Sequence, residues 1–427
     1  MVTKRWIATS VAVVAILSLL AACGPTPTPE VVKEVVKETV VVEKEVEVTK
    51  VVEVEKVVEV TPGPEPEEVS MVYITAGDVN MLALGQNVLA PDFHEMYPNV
   101  TVAVVHTGPG DAGSRLIFEK LLADKEAGKD PGDVDVAMVH QKFMAWAMEE
   151  DLLLKYADEL ETWQYMTAGD VKNALGTDIE GYAMPMFHSQ TALAYNPDEV
   201  PEPPKSYEEL VEWVKENPGK FGYNGIKGGM SGVSFTVGWI YWKSGNYEKY
   251  AVTGPFDEAE VATWEEGLKE MKEFNEYVTF TAGNVGTLDA LNRGEIVMGP
   301  VWVDMFYTFM LEGKMDPKMR LTVPEPGMPG QPMYFVIPKN ARHPEQAKKW
   351  VEYVTSPKVQ GNIIIDRYNW YPGIDGKFVE DVAPPEAFER LYKDVSPETL
   401  SKYGKSFPIV EYFDAMLEAY EKWVTGG

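Results

Sequence analysis

The rhythm of apolar and polar positions changes several times along the chain. Residues 6–20 are apolar apart from Thr9, Ser10 and Ser18, a run too short to span a bilayer comfortably. Residues 31–60 are almost wholly Val, Glu and Lys. There the pairs Val31-Val32 and Val35-Val36 fit a helical stripe, whereas Val46, Val48 and Val52, Val54 alternate like a strand. From Val69 onward, short Val-rich runs are separated by longer mixed stretches. Val69-Ser70-Met71-Val72-Tyr73-Ile74, Val100-Thr101-Val102-Ala103-Val104-Val105 and Val134-Asp135-Val136-Ala137-Met138-Val139 read as strands. The stretches 79–97, 113–126 and 143–150 read as helices. Strands alternating with helices of this length predict βαβ units and a parallel sheet, hence an α/β fold. Nearly continuous Val within the strands suits burial on both faces.

The first run has the build of an export signal over residues 1–22, with Lys4 and Arg5 ahead of it and small residues at its end. Leu20-Ala21-Ala22-Cys23-Gly24 resembles the bacterial lipobox. The resemblance implies cleavage before Cys23 and diacylation of its thiol. Cys23 is the only cysteine, so no intramolecular disulfide competes for that sulfur. Residues 23–68 then form a separate stretch, opened by Pro25, Pro27 and Pro29 and closed by Pro62, Pro64 and Pro66. Val disfavours helix through χ1 restriction, and an isolated strand needs partners. Such a stretch cannot build a core, so it reads as a lipid-anchored spacer. Its Val/Glu/Lys part would reach about 45 Å as a helix or about 100 Å extended, at roughly 1.5 and 3.3 Å per residue. A coiled coil that oligomerises the protein is the other reading, although the folded lobes are expected to be monomeric.

Roughly 360 residues follow, the size of two domains or one large one. The net charge of −29 argues against nucleic acid and against an anionic lipid surface, since both need Lys/Arg patches. It identifies no cationic ligand. Catalytic signatures are missing from the sequence: Ser231 in Gly229-Met230-Ser231-Gly232 misses the G-x-S-x-G elbow by one residue. No H-E-x-x-H or P-loop occurs, so no catalytic residue, cofactor or resident metal is expected.

Five segments carry a family resemblance. Asp133-Val134-Asp135-Val136-Ala137-Met138-Val139 precedes a helix ending in Glu150-Asp151-Leu152-Leu153-Leu154. Gly181-Tyr182-Ala183-Met184-Pro185 is followed by Ala192-Leu193-Ala194-Tyr195-Asn196-Pro197. Pro203-Pro204-Lys205-Ser206-Tyr207-Glu208-Glu209-Leu210 opens a helix with a capping box between Ser206 and Glu209. Ala290-Leu291-Asn292-Arg293-Gly294-Glu295 leads to Gly299-Pro300-Val301-Trp302, and Val336-Ile337-Pro338-Lys339-Asn340 leads to Thr355-Ser356-Pro357-Lys358. In this order the chain resembles the extracellular solute-binding proteins of the maltose-binding type (family 1). The resemblance implies a two-lobed periplasmic-binding-protein type II fold. Each lobe would be a mainly parallel sheet flanked by helices, joined by hinge strands. It implies an N-terminal lobe of 69–187 and 296–335 and a C-terminal lobe of 188–295 and 336–427. Solutes in such folds bind beyond the carboxyl ends of strands and are trapped by lobe closure.

Gly108-Pro109-Gly110-Asp111-Ala112-Gly113 is a literal G-x-G-x-x-G. It follows the second strand rather than the first, and no acidic strand end lies about 20 residues on, which argues against a dinucleotide. Such a turn still offers backbone N–H groups to a ligand oxygen at Gly110, and Asp111 beside it favours a neutral polyol over an anion. His106, His140 and His188 fall at strand ends or on the hinge strand, with Asp78 after the first strand and Gln141 next to His140. They suit hydrogen bonding to a polar solute; the metal alternative lacks a close-spaced pair such as H-x₃-H. Trp239 and Tyr241 would share one face of a strand, with Trp242 on the other. With Tyr368 and Trp370 they could stack on a sugar or hold a cation, although rings at this density also build cores. Trp302 and Asp304 complete the candidates.

The sequence therefore predicts the substrate-binding component of an ABC importer, anchored at the extracytoplasmic face and handing a sugar or polyol to permease subunits. A polyamine, thiamine or metal binder of the same fold is one rival; Asn217-Pro218-Gly219-Lys220-Phe221-Gly222-Tyr223 resembles a segment of relatives that handle thiamine, polyamines or less defined cargo. A surface enzyme or adhesin on a stalk is another.

Overall fold

The computed structural model describes residues 33–36, 56–59, 67–77, 79–108, 110–166 and 171–426. Lys33–Val36 (β1) and Lys56–Glu59 (β2) pair antiparallel, with Lys33 opposite Glu59. Cys23 and the expected leader lie outside the described residues, as does the tether apart from β1, β2, Glu67 and Glu68. Residues 68–427 form a second unit.

Its first three strands are Val69–Thr75 (β3), Val100–His106 (β4) and Val136–His140 (β5). They pair in parallel in the order β5-β3-β4, as the Val-rich runs predict. Each is followed by a helix. The first has three consecutive segments, Val79–Leu84, Gly85–Leu89 and Ala90–Met96, the middle one widened to a π-turn. The next two are Gly110–Glu126 and Gln141–Glu149. Two short strands, Asn173–Ala174 (β6) and Thr177–Asp178 (β7), make a small hairpin. The long strand Ala183–Tyr195 (β8) follows.

The chain then forms the helix Tyr207–Glu216, capped as expected by the Ser206 hydroxyl, which accepts from the Glu209 N–H at 3.1 Å. Glu209 reaches back to the Lys205 N–H rather than to that of Ser206. Gly222–Tyr223 (β9) and Thr279–Phe280 (β10) pair in parallel. Met298–Trp302 (β11) and Arg320–Thr322 (β12) lie antiparallel to β8. Met328–Val336 (β13) returns antiparallel to both β8 and β5. Tyr371–Pro372 (β14) joins β8, and Gly404–Ser406 (β15) joins β13. The sheet is thus parallel around β3 and antiparallel along β8 and β13.

Two hydrophobic cores lie along this sheet. One gathers Met71 to Phe187 with Met333–Ile337, Trp350 and Ile364; Trp350 packs on Tyr73 and Phe93 with ring centroids 5.1 and 5.3 Å apart. The other gathers Ala192 to Met328 with Tyr371 to Val424. β8 enters at Ala183 in the first core and leaves at Ala194 in the second, and β13 crosses back from Met328 to Val336. The chain divides between the cores differently from the expected lobe limits. Residues 296–328 pack in the second core, and Val336 to Ile364 in the first. The reason is β13: chain just before the return crossing stays with the second core, and chain after it packs in the first as far as Ile364 before residues 371–424 return to the second.

Trp239 and Tyr241 sit on a helix, Met230–Ser244, not on the expected strand. Every residue from Ser231 to Tyr241 is buried. A helix enclosed on all sides is apolar all round and loses the periodicity that would reveal it.

Candidate functional site

The pairing fixes which strand ends meet. β5 runs antiparallel to β13, with Ala137 opposite Val336 and His140 opposite Met333. It therefore runs toward the crossing, and β3 and β4 run with it. On the other side Met298 lies opposite Tyr195 and Trp302 opposite Thr191, so β11 runs back toward the crossing. A parallel bridge between Phe221 and Met298 aligns β9 and β10 with β11. The carboxyl ends of both sets of strands are thus turned toward the crossing strands, where α/β sheets bind ligands. The helices Gly110–Glu126, Gln141–Glu149, Met230–Ser244, Gly283–Asn292 and Val303–Leu311 all begin there. Their first N–H groups have no intrahelical acceptor and carry partial positive charge, so they favour electronegative ligand atoms.

On the first wall, the Gly-rich turn works through close packing. A methyl group on Gly113 would lie 2.1 Å from the Gly108 carbonyl oxygen, so the helix begins hard against the loop. Gly110 holds φ +59° with open space beside it, and Asp111 is half-buried in the first turn. The His106 Nε2 lies 2.8 Å from the Gly77 carbonyl oxygen and must donate to it. Ser114 accepts from the His140 backbone N–H at 3.0 Å, with its hydroxyl 3.2 Å from Nδ1 of the ring. Gln141, next in sequence, is buried, and its Oε1 has no hydrogen-bond partner. A buried acceptor in that state is costly until something donates to it.

At the crossing, His188 lies opposite Pro332 on β13 and Tyr371 on β14. Ser189 donates to the Asp304 carboxylate, which occupies the first turn of its helix, where negative charge is stabilised. Gln190 donates to the carbonyl oxygens of Thr191 (2.9 Å) and Met328 (2.7 Å), while its Oε1 is buried without a partner. Trp302 ends β11, buried, two residues before Asp304.

The second wall holds residues that the sequence reading missed. Asn284 Oδ1 accepts from the Ser231 hydroxyl (2.9 Å), the Ser231 N–H (3.2 Å) and Asn224 Nδ2 (3.3 Å). Gly229, at φ +155°, makes this possible: a methyl group there would sit 2.4 Å from Asn284 Oδ1. The signal was the Gly228-Gly229 run ahead of a helix, although no sequence distance links it to Asn284.

The expected aromatic wall is not there. Trp239 and Tyr241 are each 1 % exposed, the indole N–H of Trp239 donates to the Gly267 carbonyl and the Tyr241 hydroxyl to that of Ser406. Trp370 is buried and stacked on Phe187 at 4.2 Å, and Tyr368, half-buried, stacks on Trp370 at 5.0 Å. These rings fill the cores, since stacking on each other removes more apolar surface from water than leaving them for a ligand. The structure brings His140 together with Ser114, and Ser189 together with Asp304. Asp78 lies outside the described residues. Among those residues, no three His, Cys, Asp or Glu side chains form a group that could hold a metal ion. Cavities of about 140 Å³ beside Trp239 and Lys243, and about 320 Å³ beside Lys125, Lys129 and Lys339, lie away from the strand ends.

Residues 89–374 match the family model of the bacterial extracellular solute-binding proteins. The chain belongs to that family. It is a family of solute carriers rather than catalysts, and no helix among the described residues is long and apolar enough to cross a membrane. Maltose-bound MalE3 of T. maritima superimposes with a TM-score of 0.62 at 18 % identity, over 84 % of this chain and 95 % of that one. The spermidine/putrescine substrate-binding protein PotD of Streptococcus pneumoniae gives 0.61 at 14 %, over 84 % and 100 %. Iron-bound HitA of Pseudomonas aeruginosa gives 0.56 at 18 %, over 82 % and 98 %. At such identities the likeness is one of fold, the two-lobed α/β fold of periplasmic solute-binding proteins. No curated protein matches the sequence.

Proposed function

We propose that this protein is the substrate-binding component of a bacterial ABC importer and captures a sugar or related polyol between its two lobes. The observation that carries the reading is the opposition of strand ends across β8 and β13. The side chains at those ends are mostly hydroxyls, amides and imidazoles: Thr75, His106, Thr107, His140, Gln141, Asn224 and Asn284. Such a set hydrogen-bonds a neutral, hydroxyl-rich solute without charge pairing. The helix N-termini add donors for ligand oxygens. Ligand held by both walls favours the closed arrangement by its differential affinity, and closure is what a permease would read.

Cys23, acylated after cleavage of residues 1–22, would anchor the protein at the outer face of the membrane, with residues 23–68 as spacer. The test is a thermal-shift screen of the protein against sugars, polyols, polyamines, thiamine and divalent metals. A sugar or polyol hit supports the reading. A polyamine or metal hit keeps the importer and replaces the cargo, and turnover of any compound would move the protein to the enzymes.

A further inference from the structure

Beside the crossing strands, the two cores also touch along one flank. The β6–β7 hairpin carries Ala174 in the first core and Leu175, 7 % exposed, in the second. Leu175 has φ +50° and Gly176 φ +89°, and a methyl group on Gly176 would lie 2.8 Å from Ile409 Cγ2. The Leu175 carbonyl accepts from the Val410 N–H at 3.2 Å, at the start of the helix Val410–Tyr420 of the second core. Tyr165 packs at a tilt against Phe378, ring centroids 4.9 Å apart, and its carbonyl accepts from the Asp375 N–H.

One turn along that helix the contact changes character. Lys142, on the helix that follows His140 and Gln141, pairs with the Asp414 carboxylate, its ammonium 5.5 Å from the Phe413 ring centroid. Lys142 is anchored among first-core residues, with Phe143 and Met144 beside it, and Asp414 rides between Phe413 and Met416 of the second. The Asp414 side chain is half-exposed and that of Lys142 mostly covered.

We infer that the Lys142–Asp414 pair is a releasable latch on lobe closure, with Leu175 as the pivot beside it. This rests on the two-lobed solute-binding reading above. Leu175 is buried, backbone-bonded and fitted against Ile409 by a glycine, so it stays seated when the lobes rotate about β8 and β13. The ion pair is partly wet and held by two flexible side chains, so it parts at little cost. Lys142 stands one residue from Gln141 on the binding wall, so parting the pair and opening that wall are one motion. The pair therefore biases the solute-free protein toward closure, and salt weakens the bias because it screens a partly exposed pair.

The test measures lobe separation without solute, so it stands whether or not the cargo is a sugar. Spin labels are placed at Leu116→Cys and Val285→Cys, both exposed and one on each core, in the chain carrying Cys23→Ser, and their distance distribution is measured by pulsed electron paramagnetic resonance. The latch predicts a new or enlarged longer-distance population in Lys142→Met and in Asp414→Asn, and the same change in the unsubstituted pair at about 1 M salt, where the Debye length is about 3 Å. Lys243→Met, which breaks a partly exposed pair with Glu270 between two helices of the second core's side, leaves the distribution unchanged. Distributions that stay the same in both latch variants and at high salt overturn the proposal; the salt arm decides even if a variant folds poorly.

Discussion

At Gly330 a single added methyl group would strike three polar atoms of the facing strand. It would lie 2.6 Å from the Ser189 carbonyl oxygen, 2.7 Å from Gln190 Oε1 and 2.8 Å from His188 Nε2. The missing Cβ leaves room for the His188 ring nitrogen and the Gln190 amide oxygen beside the strand. Gly330→Ala is expected to lower unfolding stability by about 1–3 kcal/mol and to weaken solute binding, measured by denaturant melts and titration calorimetry. Trp239 gives the opposite pattern. Trp239→Ala leaves a core cavity and is expected to cost about 3–5 kcal/mol, while the affinity of the molecules that remain folded is unchanged. At this scale the sequence placed His140 and Gln141 at a strand end, because a Val-rich run followed by polar residues marks where a strand stops. It misplaced Trp239, Tyr241 and Trp370, because aromatic density is the same signal for a core and for a sugar-stacking wall. Asn284 was illegible: only the folded backbone brings it to Ser231.

Between elements, short polar clips set where helices meet strands. Asp133, just ahead of β5, is paired with Lys129 and with Lys120 from the helix Gly110–Glu126. Hydrogen bonds from Lys129 first, then Lys120, pull its carboxyl down to about 2. A depressed carboxyl contributes stability that is present above the usual Asp range, near pH 4, and lost as the pH falls toward 2. The thermal midpoint is therefore expected to fall from pH 5 to pH 2.5, and to fall less steeply in Lys129→Met; equal slopes would remove this clip from the acid response. The order of β3, β4, β5 and their helices was legible from periodicity. The crossings were less so. Pro329 and Pro332 lie within β13 and Pro185 within β8, and proline removes a ladder donor, which reads against a central strand. The β8–β13 register also shifts between Met333 and Tyr334. The buried helix Met230–Ser244 hid for another reason, having no polar face to set a period.

For the whole molecule, the family match and the fold agree with the α/β, two-lobed expectation, while membership of the two cores follows β13 rather than the expected boundaries. The whole chain carries a net charge of −29, many of its described charged side chains form surface ion pairs, and the side chains named on the two walls are mostly neutral. For the neutral solute we propose, specificity would lie in hydrogen bonds from both lobes rather than in charge. Neither wall alone then suffices.

Titration calorimetry of the most stabilising solute against three proteins tests this directly: the unsubstituted chain, Gln141→Ala on the first wall and Asn284→Ala on the second. Loss of one good hydrogen bond is worth about 1–1.5 kcal/mol, or roughly tenfold in Kd, so each variant is expected to bind about tenfold more weakly or worse with its fold intact. Affinity that is unchanged in both variants, or lost in only one, would contradict a solute held between the two sets of strand ends.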